Sequence, residues 1–398
     1  MTNQVIILQK LFLNTKKKKN IRIIYNSKKL GLIKSSNIAI RASTGEFVLR
    51  LDADDILHKN CIIELYKKIK NKKNIAVAYS DFYEIDKSRN IISVQKQMSI
   101  KNKNNLKDRP ILAACCLIRK STLFSVNLYD EKYSRQDGYD LWYKIIKNFD
   151  FVHVSLPLFF YRKHNNNLTK KIKKLHKTRS KILYNFAKNN LNNLKIVIII
   201  PVRGPRIDKL KIFKLHRNKP FIFNSIDESL KTKNVNKIII TSPDIWLLKK
   251  LEKKYRNKIQ YHQRNYEQSK LNTSLKEGLL EAVKKIKKID ILVIILPQYA
   301  FDKAHYIEQA ISKLVLHKLD KVISTVVENE KNFYKYTTKG LKLISNDSDD
   351  ILKYEKNTVL SESGGLIVYN FKSYLKNNVK KISNIILDEN EIKDLSKS

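Results

Sequence analysis

Residues 47–57 read FVLRLDADDIL. An apolar, β-branched run stops at three carboxylates within four positions, Asp52, Asp54 and Asp55. If the run is a buried strand, the acids stand at its carboxyl end, which is where open α/β sheets hold their ligands. Two carboxylates at i and i+2 on the following turn can converge on one divalent cation. Hard cations such as Mg2+ or Mn2+ take oxygen ligands and share them with substrate phosphates. Asp55 also stands just ahead of the next helical stretch, so an aspartate pair that only caps a helix is a second reading of the same letters.

Outward from this stretch, short apolar runs alternate with amphipathic ones. IRIIY (21–25), EFVLRL (46–51) and IAVAYSDFY (75–83) read as strands, and GLIKSSNIAIRAS (31–43) and HKNCIIELYKKIKNK (58–72) as helices. Such alternation predicts an α/β layer whose strands are mostly parallel, because buried parallel strands carry continuous apolar runs. Residues 166–194 are rich in Lys and Asn and predict a basic helical connector. A second alternating series starts at KIVIIIPVRG (195–204), with strands expected at 236–242, 290–296, 321–327 and 364–370. The expected organisation is therefore a domain at 1–165, the connector, and a domain at 195–398. Both domains are expected to be α/β with mostly parallel sheets.

The 398 residues carry 80 Lys+Arg against 37 Asp+Glu, a formal net charge of +43. The lysines are spread over ordinary helix faces, which reads as compositional bias, although the charge will draw anionic ligands and anionic lipid surfaces. Specific nucleic-acid binding is not expected: the 20 Tyr and 15 Phe fall mostly inside apolar runs, not interleaved with a basic stripe. The three cysteines, Cys61, Cys115 and Cys116, have neither metal-site spacing nor a disulfide framework. No apolar run approaches the roughly 20 residues of a membrane span. The expected setting is the cytoplasm, with at most peripheral contact at the anionic inner face of a membrane.

LGLIKSSNIAIRASTGEFVLRLDADDIL (30–57) resembles the heart of the glycosyltransferase family 2 domain, through Gly31, Asn37, Ala42, Gly45, Glu46 and Leu51 to Asp55. SRQDGYDLWYKI (134–145) resembles the family's later acidic motif, and PLFFYRKH (157–164) its closing segment. The resemblance covers residues 20–165 and implies a nucleotide-diphospho-sugar transferase fold. It implies glycosyl transfer from a nucleotide-sugar donor to a glycan or lipid-linked acceptor. Asp52 and Asp54 would hold the donor, Asp54 through Mg2+ or Mn2+, with Arg162 and His164 against its phosphates. Asp137 would be the general base, and Asp140 and Trp142 would support its helix. The strands that open the family's domain have no counterpart before residue 21, so this domain is expected to lack its first strands.

In the second half, IIPVRG (199–204), KLHRNKPFIFNSI (214–226), NKIIITSPD (236–244), SESGGLIVYNFKSYL (361–375) and LDENEIKDL (387–395) resemble the acylneuraminate cytidylyltransferase family. That likeness implies CTP as a substrate, with Arg203 and Lys209 or Lys211 on its phosphates and a metal on Asp388. Asn390 stands where the family carries a second metal aspartate. The alternative reading is a catalytically degenerate nucleotide-binding or scaffold protein of a surface-polysaccharide pathway.

Overall fold

The computed structural model of the chain describes residues 21–97, 115–164, 172–203, 212–213, 215–216, 218–270, 273–297, 299–301, 303–328, 334–337, 340–343, 359–388 and 392–394. Lys209, Lys211 and Asn390 lie outside the described residues.

The first half runs α1 (Leu32–Ala42), β1 (Phe47–Leu49), β2 (Ile56–Leu57), α2 (Cys61–Ile69), β3 (Ile75–Ile85), β4 (Ile91–Gln95), β5 (Leu117–Arg119), α3 (Lys120–Ser125), α4 (Asp137–Ile146) and β6 (Asp150–Arg162). Its sheet has the order β1-β5-β3-β6-β2, with β4 added on β3. Gly31 sits ahead of α1 at φ +85°, a backbone conformation open to glycine and strained for other residues. Ile33, Asn37 and Ile40 form the buried face of α1. Asn37 is the polar member of that face. Its amide donates to Tyr129 O at 3.0 Å and accepts from Tyr129 N at 3.2 Å, which fastens α1 to the chain ahead of α4.

The second half begins after α5 (Ile172–Leu191). It runs β7 (Ile196–Pro201), α6 (Phe221–Lys231), β8 (Lys237–Ser242), α7 (Ile245–Tyr255), β9 (Gln260–Gln263), α8 (Leu275–Val283), β10 (Ile291–Ile295), α9 (Ala304–Leu316), β11 (Lys321–Glu328), β12 (Val359–Asn370), α10 (Phe371–Leu375) and β13 (Ile382–Ile386). Its seven-stranded sheet has the order β9-β8-β7-β10-β12-β11-β13. The neighbours from β9 to β10 are parallel, β12 is antiparallel to both its neighbours, and β11 is parallel to β13. Every residue of β7 is buried, as a central strand covered on both faces requires.

In chain order the second sheet reads 3-2-1-4-6-5-7. The first sheet repeats its last four positions: β1, β5, β3 and β6 correspond to β10, β12, β11 and β13, in the same order and with the same one reversed strand. Both halves thus have the α/β build expected from the alternation and the Rossmann-like order that the two resemblances imply. In the first sheet, however, only β3 and β6 pair in parallel; the other described pairings are antiparallel. The reason is topological: the repeated portion is the one that contains the reversed strand, and β2 and β4 add two more antiparallel edges.

Residues 21–25, expected to be a strand, have no regular secondary structure. Ile21, Ile24 and Tyr25 are exposed, and Arg22 Nη1 donates to Ala42 O at the end of α1. A strand needs a ladder partner, and among the described residues no strand forms a ladder with this segment or with the outer edge of β1.

The basic connector is helical, as expected, but it is not a free linker. Ile182, Leu183, Ala187 and Leu191 of α5 are buried, and α5 packs along α9. Tyr143 of α4 shares a 2.8 Å hydrogen bond with His317 just past α9, so the two halves touch directly as well.

Candidate active site

β1, β3 and β6 all point the same way, so their carboxyl ends share one edge of the sheet. A cleft of about 1080 Å³ opens there. Its polar wall holds Arg50, Asp52, Asp54, Asp137 and His164. Its apolar wall includes Leu49, Phe82, Phe159 and Tyr161.

Each polar group reaches the cleft by a different route. Asp52 and Asp54 ride the turn that follows β1. Asp137 is the first residue of α4, preceded by Gln136 in the left-handed region at φ +59°. Asp137 and Asp140 fill the helix's first turn, where negative charge is favoured by the helix dipole. His164 follows the end of β6, and its Nε2 lies 2.7 Å from Asp54 Oδ2. From behind, Arg179 of α5 donates to Gln136 Oε1 at 3.2 Å and stacks its guanidinium over Tyr139, so the connector buttresses the turn that presents Asp137.

Arg50 stands at the centre of the acids. Its Nε lies 3.2 Å from Asp52 Oδ1, its Nη1 is ion-paired with Asp137 Oδ2, and its guanidinium sits 5.4 Å from the Tyr129 ring centroid. Burial opposes the Arg50 charge, but Tyr129, Asp137 and Asp52 more than offset it and raise the guanidinium above its ordinary range. Burial raises the Asp52 carboxyl, against the pull of Arg50. Sequence reasoning missed Arg50, although a charge inside the apolar run VLRLD was the available signal.

Asp55 is not a helix cap. Asn60 precedes α2, without a side-chain cap bond. Asp55 turns inward, and its Oδ1 accepts from Arg162 N at 2.9 Å. Arg162 is not part of the cleft lining. Its Nε donates to Asp54 O at 2.8 Å and its Nη1 to Asp86 O at 3.0 Å, so it braces the aspartate turn from outside the cleft. Asp140 is buried and paired with Lys144 at 2.9 Å, and Trp142 lies in the core beneath α4.

For a divalent cation the cleft offers Asp54 and His164, whose Oδ2 and Nε2 lie 2.7 Å apart. Carboxylate oxygens suit Mg2+ or Mn2+, whereas imidazole is the more usual partner of Zn2+ and the later first-row metals. Among the described residues no group of three or more His, Cys, Asp and Glu could hold a metal unaided. The fit is therefore to a cation bound by one or two carboxylates and completed by phosphate oxygens.

In the second half, β7, β8, β9, β11 and β13 also share one carboxyl edge. Arg203 follows β7 and donates to Lys270 O at 3.5 Å. Arg264 follows β9 and is buried; its Nε donates to Ser269 Oγ at 2.9 Å, and its Nη1 is buried without a partner among the described residues. Burial, with the charge of Arg203 adding to it, lowers the Arg264 guanidinium. Gly278 makes room for this side chain, since a Cβ there would lie 2.6 Å from Arg264 Cδ. Two cations at one sheet edge with an unanswered N–H suit an anion. Arg264 was not foreseen, because nothing in the spacing of QRNYEQ marks an arginine that folds inward. Asp388 is buried after β13, and its N–H donates to Tyr306 Oη at 3.3 Å. β13 lies four strands from β7, roughly 19 Å at the usual strand spacing.

Residues 4–127 match the family model described as Glycosyl transferase family 2. The chain is 31% identical over 163 residues to a Methanocaldococcus jannaschii protein named Uncharacterized glycosyltransferase MJ1057, covering 40% of this chain and 56% of that one. It is 29% identical over 68 residues to Glycosyltransferase GlyG of Streptococcus pneumoniae serotype 4, covering 17% and 22% respectively. It thus spans about half, or less, of the length of these curated relatives. Solved structures similar in part are a CMP:2-keto-3-deoxy-manno-octonic acid synthetase complexed with CTP (TM-score 0.36, 14% identity, 48% of this chain and 90% of that one) and 4-diphosphocytidyl-2C-methyl-D-erythritol synthase from Anaerococcus prevotii (TM-score 0.37, 14% identity, 52% and 93%). The turn from Asp52 to Asp55 therefore lies within a stretch that matches glycosyl transferase family 2, and Asp137 and His164 complete its cleft from beyond that stretch.

Proposed function

We propose that the cleft of the first half binds a nucleotide-sugar donor and transfers its glycosyl group to a saccharide or lipid-linked acceptor, in glycan biosynthesis. The observation that carries this reading is the convergence of Asp52, Asp54, Asp137 and His164 on one cleft, from three separate segments, at the carboxyl edge of the sheet. Asp52 and Asp54 hold the donor, with Asp54 and His164 as the protein ligands of Mg2+ or Mn2+. When bound, the metal neutralises charge on the departing diphosphate. Asp137 takes the proton from the acceptor hydroxyl as its oxygen attacks the anomeric carbon and the bond to the diphosphate breaks. Arg50 orients the Asp137 carboxylate. Arg162 acts from behind by fixing the turn, in place of the phosphate contact expected from the sequence.

For the second half we propose binding of CTP phosphates at Arg203 and Arg264, in a domain that activates an acidic sugar. Lys209 and Lys211 remain part of that proposal, with Asp388 as its metal ligand. No helix of the described residues is long and apolar enough to cross a membrane, and contact with an anionic leaflet would be peripheral.

The test is radiolabelled glycosyl transfer from a panel of nucleotide sugars, with Mn2+ or Mg2+, by the wild-type chain and by Asp137→Asn. Transfer that the substitution leaves unchanged would remove Asp137 from the base role. If no donor binds, as measured by calorimetry with UDP, GDP and CMP, the scaffold reading stands instead.

A further inference from the structure

α2 follows closely on the aspartate turn and carries apolar residues on two sides. Its inner side, Cys61, Leu65 and Ile69, is fully buried in the first half's core. Its end is fixed as well, because Arg119 Nη2 donates to Ile69 O at 2.9 Å. The outer side carries Ile62, Ile63 and Tyr66, which are 56%, 48% and 40% exposed. Spacings of three and four residues place them together on one helix face, where a helix that met only water would carry polar residues. The rim of that face is cationic. Residues 58–73 hold six exposed lysines against one acid, Glu64, which pairs with Lys67 at 2.9 Å. Lys70 Nζ lies 5.9 Å from the Tyr66 ring centroid. The Tyr66 ring also meets Phe47 edge-on at 5.7 Å, and Phe47 belongs to the cleft lining, so the patch adjoins the cleft.

We propose that the outer face of α2 docks the protein on an anionic phospholipid leaflet. Ile62, Ile63 and Tyr66 enter the headgroup boundary, and the lysines around them meet lipid phosphates. Clustered apolar side chains rimmed by charge mark a docking surface, and the rim identifies the partner. Lysine is depleted at the centres of protein interfaces, whereas its aliphatic stem can lie along lipid while its ammonium reaches the headgroups. A second copy of the chain on a two-fold axis would set the same lysines against one another. Nucleic acid would answer the charge and leave the isoleucines in water. Docked this way, the protein holds the Phe47 edge of its cleft beside the leaflet, where a lipid-linked acceptor would lie on the reading above. The inference deepens the peripheral contact proposed there and uses no step of the transfer, so vesicle binding and donor binding can fail separately.

The experiment mixes the full chain with vesicles of phosphatidylglycerol and phosphatidylcholine, without donor or acceptor, in enough salt to weaken unspecific attraction by the +43 charge. Co-sedimentation gives the partition. Ile62→Ser/Ile63→Ser keeps every charge and should weaken binding roughly tenfold or more. Ile245→Ser, the same change at an exposed isoleucine of α7, should leave it within about twofold. Tyr66→Trp should add fluorescence that shifts to the blue with these vesicles and is quenched by brominated lipid, a readout that does not depend on the double variant folding. Binding that survives Ile62→Ser/Ile63→Ser, loss of binding in Ile245→Ser, equal binding to phosphatidylcholine alone, or added fluorescence that brominated lipid leaves untouched would each overturn the proposal. A dimer in sedimentation velocity that Ile62→Ser/Ile63→Ser dissociates would overturn it too, by assigning the face to a second copy.

Discussion

Asp55→Asn is expected to stabilise the first half at neutral pH more than at acid pH. Asp55 is 8% exposed, its Oδ2 is buried without a partner among the described residues, and burial pushes its carboxyl from 3.8 up to about 6. The Arg162 amide opposes that rise, whereas Asp54 and Asp52 add to it. A folded-state value above the unfolded one means that the native state binds more protons through this window. Stability from this group is therefore fully present below about pH 4 and lost as pH rises towards about 6. At about 1.36 kcal/mol per unit, the shift sets an upper bound of about 3 kcal/mol. Local relaxation and water entry reduce it to ~1–2 kcal/mol. Asparagine has nearly the shape of protonated aspartate, so packing terms cancel when two pH values are compared.

The assay is urea unfolding at about pH 4.5 and about pH 7.5. Trp142 fluorescence reports the first core, where it is buried, and a Trp246→Phe background silences the other tryptophan. The gain from Asp55→Asn should be larger at the higher pH by ~1–2 kcal/mol. A gain that is flat with pH to within ~0.5 kcal/mol, or larger at the acid value, would refute the reasoning.

Arg50→Met removes the cation between Asp52 and Asp137 and should cost about 2–4 kcal/mol at neutral pH, less as pH falls and the Asp52 carboxyl, already raised by burial, protonates; thermal melts across pH check this. Asp137→Asn should reduce glycosyl transfer roughly a hundredfold to ten-thousandfold while leaving nucleotide-sugar affinity within a few-fold, read by kinetics and calorimetry together. Arg264→Met should abolish CTP binding to the second half. Gly278→Ala should weaken it by displacing the same side chain, whereas nucleotide-sugar binding in the first half stays as it was. Tyr143→Phe removes the hydroxyl that meets His317 and should cost about 1 kcal/mol, seen as earlier melting of the contact between the halves in hydrogen exchange.

Where the chain's letters have a local physical meaning, they can be read without a structure. The apolar runs at 47–49, 75–79 and 196–201 fall in strands, as their continuous apolar character suggests. The helices at 32–42 and 61–69 follow the spacing of their apolar residues. Gly31 and the aspartate turn take the places that their backbone and charge suggest. IRIIY misleads because a strand is a property of two chains of atoms, and its partner is not encoded in its own alternation.

What only the tertiary structure decides is which groups meet. Asp52, Asp137 and His164 are each visible as candidates, but their common cleft depends on β1, β3 and β6 ending at one edge and on α4 starting there. The same packing reassigns neighbours that look equivalent in sequence. Asp54 faces the cleft and Asp55 faces the interior, because successive residues of a turn point in different directions. Arg162 is drawn to backbone carbonyls behind the turn, while Arg50, inside an apparently apolar run, becomes the charge at the centre of the site. Sequence determines which chemistry the chain carries and where its segments begin. The long-range contacts, set by how the segments stack, determine which of those groups can act on the same molecule.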